Sequence, residues 1–466
     1  MTPPDRRARD EKEQSIQRSL TLSWKEGIAA QVMIGIVDYF TVPFALLLGA
    51  SNTQIATVVA LPNLLASVVP MFAVRAVTWT GGRLRLLTTG LFIQALFLMP
   101  IGFLSYLHVS GRLLILAAFI AVYKTIGGML GPAWGSLVSE YLPAHRRGHY
   151  FGWRSRIVGI SGLVNLCAWG VFLWVWKKNH DAASGFLLMF LAASLARLVS
   201  CSYMSRMTDL PTRETRESEF TFWMFLRRFR ESNFVKFVFY VSSVTFATNI
   251  ASPYFSVHML KDLNFSYLGY MMISLASVVT GLLMFPVWGR HADSVGNAKI
   301  LKITSIYLPF IPIIWMFPRT VAPLVVIELF SGVAWGGFNL CATNFIYDAV
   351  TPEKRVRCLS YFNFINGVAL CAGAWLGGWL SDRLPPTMGF SLLTLFAISA
   401  AARFLANFFL SRQFREVRAE ARPVTSTQLF FSVVGIRPII GRNEEIPALP
   451  PSSQVRFGPR PGSPAS

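Results

Sequence analysis

The sequence predicts an all-α membrane protein with about twelve transmembrane helices in two pseudo-symmetric six-helix halves. Of its 466 residues, 53% are apolar and only 14% are charged, and the mean hydropathy is +0.48. Apolar runs such as residues 86–104 approach the roughly 20 residues that a helix needs to cross hydrocarbon. One stretch also recurs after 209 residues. A β-barrel would instead show short segments that alternate polar and apolar residues, and the sequence has no such alternation.

Apolar runs recur along the whole chain and give the order of the helices. The predicted spans are residues 27–48, 54–77, 84–106, 113–138, 157–176, 184–205, 234–258, 267–288, 300–317, 321–347, 359–380 and 388–410. Pro62 and Pro70 interrupt the second span, and Pro309 and Pro312 interrupt the ninth. In a membrane such prolines kink a helix more often than they end it, because neighbouring helices satisfy the freed backbone groups.

The positive charges lie on alternate loops, and this pattern predicts the orientation. The net charge is +20. With a cytoplasmic N-terminus, the inner segments hold 34 of the 43 lysines and arginines, the outer loops hold six, and three lie inside predicted spans. Excess positive charge in short loops stays on the cytoplasmic side. Both termini are therefore predicted to be cytoplasmic, and the basic balance requires no nucleic acid as a partner.

Residues 1–19 mix acids and bases and lack the short apolar core of a signal peptide. We therefore expect the first span to direct membrane insertion itself. Together with the short loops, this favours the bacterial cytoplasmic (inner) membrane as the location.

The predicted spans divide the chain into five segments. These are a cytoplasmic N-terminal segment (1–26), a first half (27–205), a cytoplasmic central loop (206–233), a second half (234–410) and a cytoplasmic tail (411–466). Aromatics and arginines occur together in TFWMFLRRFR (221–230), which predicts a stretch along the membrane surface. From about residue 418 the tail is rich in Pro, Ser, Gly and Arg, a composition typical of disorder.

No motif in the sequence indicates an enzyme. There is no Walker-type phosphate loop, which disfavours direct use of ATP. The cysteines lie in or beside apolar runs without metal-ligand spacing, as buried small side chains do. They are Cys167, Cys201, Cys341, Cys358 and Cys371. We predict no catalytic residue, no metal site and no cofactor.

Residues 126–148 resemble residues 335–357 after the shift of 209. The matched pairs are Gly127 with Gly336, Gly128 with Gly337, Pro143 with Pro352, and Arg146 with Arg355. An acidic residue, Glu140 or Asp348, stands near the helix end in each copy. Two parallel six-helix halves follow, an arrangement that places a substrate site between the repeats near mid-membrane.

The loop between the eighth and ninth spans reads WGRHADSVGNAKIL. It resembles the signature loop G-x-x-x-D-x-x-G of the major facilitator superfamily, carried here by Gly289, Asp293 and Gly296 and followed by the basic Lys299. The resemblance extends over all twelve spans. It implies a conformational latch, in which a glycine turn places an aspartate against the next helix. A solvated charged turn is the alternative.

The corresponding loop of the first half, MFAVRAVTWTGGRLRLL, departs from this pattern. Trp79 stands about where the aspartate would be, while Gly82, Arg83 and Arg85 remain recognisable. We therefore expect a degenerate latch in the first half.

Asp38 and Lys124 each lie about eleven residues into a predicted span, near the bilayer midplane. An ionised side chain there is costly unless it is paired or hydrated. In the family that the chain resembles, helices 1, 4, 7 and 10 line the central cavity, so Asp38 and Lys124 are expected to face each other. Asp38 would then titrate while Lys124 binds substrate or gates. A fixed ion pair that only selects helix packing is the alternative.

Further candidates lie on other spans. Glu328, in the outer third of the tenth span, is the second-half candidate for the same role. Arg197 and Arg403, late in the sixth and twelfth spans, are expected to snorkel to the inner surface. Polar and aromatic side chains on the seventh and tenth spans suit an organic solute, although packing is the commoner role of each. They are Asn249, Tyr254, Trp335, Asn339 and Asn344.

These observations predict a monomeric secondary transporter that moves a small polar organic solute by alternating access. Its expected partners are the solute, protons and the lipid bilayer. Efflux of drugs or metabolites by the same fold stays open. A receptor or scaffold that signals through the cytoplasmic tail stays open as well.

Overall fold

The computed structural model describes residues 3–107, 109–142, 144–209, 227 and 232–417. In these ranges every regular element is a helix. Twelve helical segments are long and apolar enough to cross a membrane, which confirms the predicted number. The predicted surface stretch at 221–230, apart from residue 227, and the tail from residue 418 lie outside the described residues.

We number the twelve segments in chain order. Eight are continuous helices: α1 Pro3–Leu47, α4 Arg112–Glu140, α5 Ala144–Asn179, α6 Ala182–Ser205, α8 Tyr267–Val295, α10 Val321–Ala349, α11 Pro352–Ser381 and α12 Ser391–Leu410. Four consist of shorter consecutive pieces: α2 Asn52–Phe72, α3 Arg83–Ser105, α7 Asn233–Asp262 and α9 Asn297–Ile314. A separate short helix, Ala73–Thr80, follows α2.

Successive segments cross the bundle in opposite directions. We call the end at which α1 begins the basic end, because the loops that follow the even-numbered segments carry most of the arginines and lysines. Leu47 therefore lies at the opposite end. Three segments that start there begin with a polar cap, which accepts a hydrogen bond from an otherwise unpaired backbone N–H. The caps are Ser51, Asp181 and Ser266.

The prolines act locally, as expected within a membrane. Pro62 lies inside the α-helical part of α2, whereas Pro70 lies in the closing 3-10 turn, Val69–Phe72. In α9 the α-helix stops at Tyr307 and resumes at Phe310, directly after Pro309. Proline cannot donate a backbone hydrogen bond and clashes with the preceding turn. Both segments nevertheless continue across the bundle.

Segment α7 is divided into three pieces. It is α-helical over Asn233–Asn249 and Ser252–Val257 and π-helical over His258–Asp262. Gly377 of α11 lies against the first break, where a Cβ atom would come 2.1 Å from the carbonyl oxygen of Ile250. Only glycine allows α11 to approach the break this closely.

Glycines also set the spacing of helices within each half. A Cβ atom on Gly128 of α4 would lie 2.4 Å from the carbonyl oxygen of Ala66 on α2. In the second half, a Cβ atom on Gly336 of α10 would lie 3.2 Å from the carbonyl oxygen of Gly281 on α8. The repeat aligns Gly128 with Gly337, one residue after Gly336, so the same glycine pair brings α4 close to α2 in one half and α10 close to α8 in the other.

Contacts between the first six and the last six segments join the two halves toward the opposite end. The rings of Phe186 on α6 and Tyr267 on α8 lie edge to face with centroids 5.8 Å apart. Gly170 of α5 lies against the side chain of Met271 on α8. Together with the contacts of α2 against α11, such as Gly367 against Ser67, they form the seam between the halves.

Replacing Gly128 by Ala is expected to lower the thermal midpoint of the purified protein, because the added methyl group meets the backbone of α2. Overpacking of this kind costs about 1–3 kcal/mol. Gly131→Ala on the same helix is the matched control, since no atom lies within 4 Å of a Cβ atom there. Equal midpoints for the two variants would contradict the close contact.

Candidate functional site

The structure brings Asp38 of α1 and Lys124 of α4 together. The Lys124 ammonium donates a hydrogen bond to Oδ1 of Asp38. The Asp38 side chain is 40% exposed and the Lys124 side chain is 27% exposed, although Val37 and Phe40 near the aspartate are buried. Asp38 lies about 14 Å along the helix from Leu47, near its membrane midpoint. The pair is therefore ionic, partly accessible to solvent, and deep in the bundle.

This ion pair lies beside the seam. The carbonyl oxygen of Tyr39 accepts a hydrogen bond of 2.7 Å from Oη of Tyr270 on α8. The ring of Phe40 meets the ring of Tyr270 edge to face, with centroids 6.3 Å apart. Asp38 is thus the direct neighbour in sequence of a residue that contacts the other half. A change in its charge or hydration therefore occurs next to the seam.

A polar cavity of about 370 Å³ lies within the second half. Three of the predicted site residues line it, namely Glu328, Asn249 and Trp335. Five hydroxyl-bearing side chains also line it: Thr245, Thr248, Ser252, Ser277 and Ser331. Oε1 of Glu328 accepts a hydrogen bond of 3.0 Å from the indole N–H of Trp315 on α9. The cavity combines a carboxylate, hydroxyl groups and an aromatic face, which together can bind a polar organic molecule.

Arg403 of α12 lines the same cavity, and its predicted snorkelling to the surface is wrong. Only 2% of the residue is exposed. Its guanidinium donates to the carbonyl oxygen of Leu308 at 3.0 Å and to Oγ of Ser399 at 3.2 Å. These internal acceptors hold the side chain inside the half, so the cavity contains one negative and one positive group.

The other predicted ligands lie elsewhere or are engaged. Tyr254 is fully buried, and its hydroxyl donates to the carbonyl oxygen of Ala374 at 2.9 Å, so it packs α7 on α11. Asn249 lines the cavity but donates to the carbonyl oxygen of Thr245 on its own helix at 2.9 Å. Asn339 is exposed and Asn344 is partly buried, and both lie further along α10 than the residues that line the cavity.

The sequence analysis missed a charge cluster at the basic end of the first half. Glu26 of α1 lies 3.3 Å from a guanidinium nitrogen of Arg154 on α5 and 4.0 Å from one of Arg197 on α6. Nε of Arg197 donates to the side-chain oxygen of Gln94 at 2.9 Å. Arg197 is 8% exposed, so its predicted snorkelling is also wrong. The available signal was the presence of an arginine late in both the sixth and the twelfth span.

The four predicted latch residues lie in three different places around the turn after α8. Gly289 and Asp293 lie within the last turns of α8, and Gly296 ends the helix with φ +87°. Lys299 lies in the first turns of α9 and is partly buried. Because φ is positive, glycine is favoured at position 296.

Two carboxylates hold the start of α9 after this turn. The side-chain amide of Asn297 donates to Oδ2 of Asp348 at 2.7 Å, and the backbone N–H of Ala298 donates to Oε2 of Glu416 at 2.7 Å. We call Asn297, Asp348 and Glu416 the second-half clamp. It ties α9 to the end of α10 and to the segment after α12.

An equivalent arrangement holds the start of α3. Arg83 donates to Glu140 at 2.8 Å and to Asp209 at 3.1 Å, and the backbone N–H of Leu84 donates to Oδ2 of Asp209 at 3.1 Å. We call Arg83, Glu140 and Asp209 the first-half clamp. Trp79, which replaces the expected aspartate, is 83% exposed. Sequence reasoning missed Asp209 and Glu416, although each follows the last helix of its half.

The described residues offer no evident metal centre. Within the ranges that the structure covers, no three His, Cys, Asp or Glu side chains lie close enough to share a metal ion.

The sequence matches known transport proteins. The profile of the Major Facilitator Superfamily matches residues 27–374 and 237–443. Over 107 residues the chain is 32% identical to "Efflux pump azaK" of Aspergillus niger, covering 23% of this chain and 22% of that protein. Over 142 residues it is 22% identical to "Multidrug resistance protein 3" of Bacillus subtilis, covering 30% of this chain and 26% of that protein. The matches thus span less than a third of either relative.

The fold is also similar to solved transporter structures. A mutant of the nucleoside transporter NupG aligns with a TM-score of 0.69 at 12% identity, covering 85% of this chain and 100% of that chain. The D-xylose-proton symporter aligns with a TM-score of 0.66 at 13% identity, covering 88% of this chain and 99% of that chain. At these identities the similarity concerns the fold alone.

Replacing Asp209 by Ala is expected to speed hydrogen exchange at the start of α3, because the Leu84 N–H and Arg83 lose an acceptor. Loss of such a cap lowers local stability by about 1 kcal/mol. The control is Asp181→Ala, which removes a cap from α6 at the opposite end. Hydrogen exchange measured by mass spectrometry should change at α3 only in the first variant. Unchanged exchange there would show that Asp209 does not hold the helix.

Proposed function

The chain belongs to the Major Facilitator Superfamily, and on this premise we propose that it is a secondary transporter that moves a small polar organic solute by alternating access. The observation that carries the proposal is the Asp38–Lys124 ion pair, which is partly hydrated and lies beside the seam. In this mechanism the two halves rock around a site near mid-membrane. The protein works as a monomer and performs no enzymatic reaction.

Proton coupling is the proposed use of the ion pair. A carboxylate that gains a proton no longer attracts the ammonium beside it, so protonation of Asp38 frees Lys124. Lys124 can then bind an anionic or polar group of the solute. Because Tyr39 contacts Tyr270 across the seam, the change reaches the contact between the halves.

The conformation of the seam supports a transporter closed at the opposite end. Oγ1 of Thr53 on α2 donates to Oδ2 of Asp382 just after α11 at 2.6 Å. The Lys177 ammonium lies 5.3 Å from the ring centroid of Tyr267. Separating these contacts would open the bundle at that end.

We propose that the basic end is cytoplasmic. The distribution of 34 of 43 lysines and arginines supports this orientation. Both termini then lie in the cytoplasm, and the membrane is the bacterial cytoplasmic membrane. The five proposed segments keep the boundaries given above, 1–26, 27–205, 206–233, 234–410 and 411–466.

Efflux is the second candidate direction of transport. The two curated relatives are named as an efflux pump and a multidrug resistance protein, and they support export of a drug or metabolite. The matched segments are short, so an experiment has to establish both the direction of transport and the substrate. A receptor or scaffold role has only the tail from residue 418 in its favour, and family membership favours transport.

The test is solute-dependent proton movement in liposomes that contain a pH-sensitive dye. A broad set of small solutes should give a signal with the wild type, and Asp38→Asn should abolish it because asparagine cannot take up the proton. Asp181→Asn, which changes an exposed carboxylate outside the bundle, is the matched control. A signal that survives in Asp38→Asn would refute the proton role of Asp38. A folded wild type without any signal would refute proton-coupled transport of the solutes tested.

A second prediction concerns Glu328 and Arg403. Removing either charge leaves the other without a counter-charge in the cavity, which is strongly destabilising. Glu328→Gln and Arg403→Gln should therefore each lower the thermal midpoint, whereas the double variant should recover part of the loss. Transport should stay impaired in all three variants. Thermal midpoints from a double-mutant cycle measure the coupling, and additive losses would show that the two charges act independently.

A further inference from the structure

A cavity of about 240 Å³ lies in the first half among α1, α3, α4, α5 and α6. Glu26, Arg154 and Arg197 line it, as do Gly27, Gly127 and Gly131. Glu26 lies about 30 Å along α1 from Leu47, so the cavity lies at the basic-end boundary of the hydrocarbon. It is separate from the Asp38–Lys124 pair and from the second-half cavity.

The charges that line this cavity do not balance. One carboxylate, Glu26, stands against two guanidinium groups, Arg154 and Arg197. The side-chain exposures are only 7%, 13% and 10%, respectively. The other polar side chains around these groups are neutral, and they include Ser23, Gln31, Gln94 and Ser200. A largely buried positive charge without a counter-charge is costly, and an anion would compensate it.

The guanidinium group of Arg154 also has a donor to spare, whereas every guanidinium nitrogen of Arg197 faces an acceptor on Gln94 or Ser200. Nε and Nη2 of Arg154 donate to the carbonyl oxygen of Ser23 at 3.3 and 3.1 Å, and Nη2 also faces Glu26. Among the described residues, Nη1 of Arg154 has no acceptor. Glu26 itself accepts a hydrogen bond of 2.8 Å from Ser200 and is 4.0 Å from Arg197, a long ion pair. The carboxylate therefore satisfies the two arginines only in part.

The shape of the cavity favours a planar or compact anionic group. Trp134 lies with its ring 4.2 Å from the guanidinium carbon of Arg154 and fixes that side chain by a cation–π contact. No atom lies within 4 Å of a Cβ position on Gly131, so the wall beside the tryptophan is open. A fixed guanidinium next to free space is suited to bidentate binding of a carboxylate or phosphate.

We propose that this cavity binds the carboxylate or phosphate group of an organic anion, between Arg154 and Arg197. Resting on the proposed transport function, it makes the solute class anionic. The same chemistry is present in the headgroup of an anionic lipid. Glu26 competes with the anion for the two arginines.

Equilibrium binding of radiolabelled inorganic phosphate to the full-length protein tests the site, in nanodiscs of phosphatidylcholine and chloride-free buffer. Arg154→Gln should weaken binding about tenfold, the value of a lost charged hydrogen bond. Glu26→Gln should strengthen binding, because the competing carboxylate is gone. Arg156→Gln, an exposed arginine on the same helix, is the matched control and should bind as the wild type.

The opposite effects of the two variants separate a binding site from a structural ion cluster. If Arg154→Gln does not fold, as judged by its thermal midpoint, the effect of Glu26→Gln decides alone. Weaker binding in Glu26→Gln, no effect of Arg154→Gln, or no phosphate binding to the wild type would overturn the proposal.

A second set of nanodiscs, which contain phosphatidylglycerol, distinguishes the two sources of the anion. Phosphate binding that persists there points to a soluble anion. Phosphate binding that is lost there, with less phosphatidylglycerol retained by Arg154→Gln, points to a lipid headgroup in the same cavity. The measurement involves no transport. Loss of the site in a protein that still moves protons with solute would therefore refute only this proposal, and binding without transport would refute only the proposed function.

Discussion

An ionised side chain in or near hydrocarbon is costly unless it is paired or hydrated, and ion pairs between neighbouring helices tie the first half together. Asp38 joins α1 to α4 through Lys124. Glu26 joins α1 to α5 and α6 through two arginines. Since a charge left without its partner costs several kcal/mol, these contacts also restrict which helices can separate during a conformational change.

The two halves repeat their packing but not their buried charges. Glycine contacts join α2 to α4 and α8 to α10, and a clamp holds the start of α3 and of α9. At the repeat shift of 209, however, Asp38 corresponds to Ala247 and Lys124 to Val333. The repeated contacts maintain a shared architecture, whereas the unrepeated charges give each half its own chemistry.

The fold could be predicted from the sequence because hydropathy alone reports which segments enter a membrane. The Asp38–Lys124 contact followed from depth, since both residues lie about eleven residues into their predicted spans, together with the family resemblance, which places helices 1 and 4 around one cavity. The direction in which Arg197 and Arg403 point did not follow, because it depends on acceptors such as Gln94 and Leu308 that belong to other helices. Asp209 and Glu416 were missed for a similar reason. A carboxylate in a charged loop looks solvated until the neighbouring helix start is in place.

Segment α7 differs mechanically from the continuous helices around it. The α-helix is interrupted after Asn249 and becomes π-helical after Val257, which gives three pieces, and a contact of 2.8 Å between His258 and Asp262 stabilises the last. When one end of a continuous helix tilts, the whole helix tilts with it, whereas an interrupted helix can bend at the interruption. The last two pieces of α7 can therefore move together with the contacts between the halves, while its longest piece, Asn233–Asn249, stays packed against α11 and α12. The interruption of α7 beside Gly377 is thus the position at which this segment can bend inside the second half.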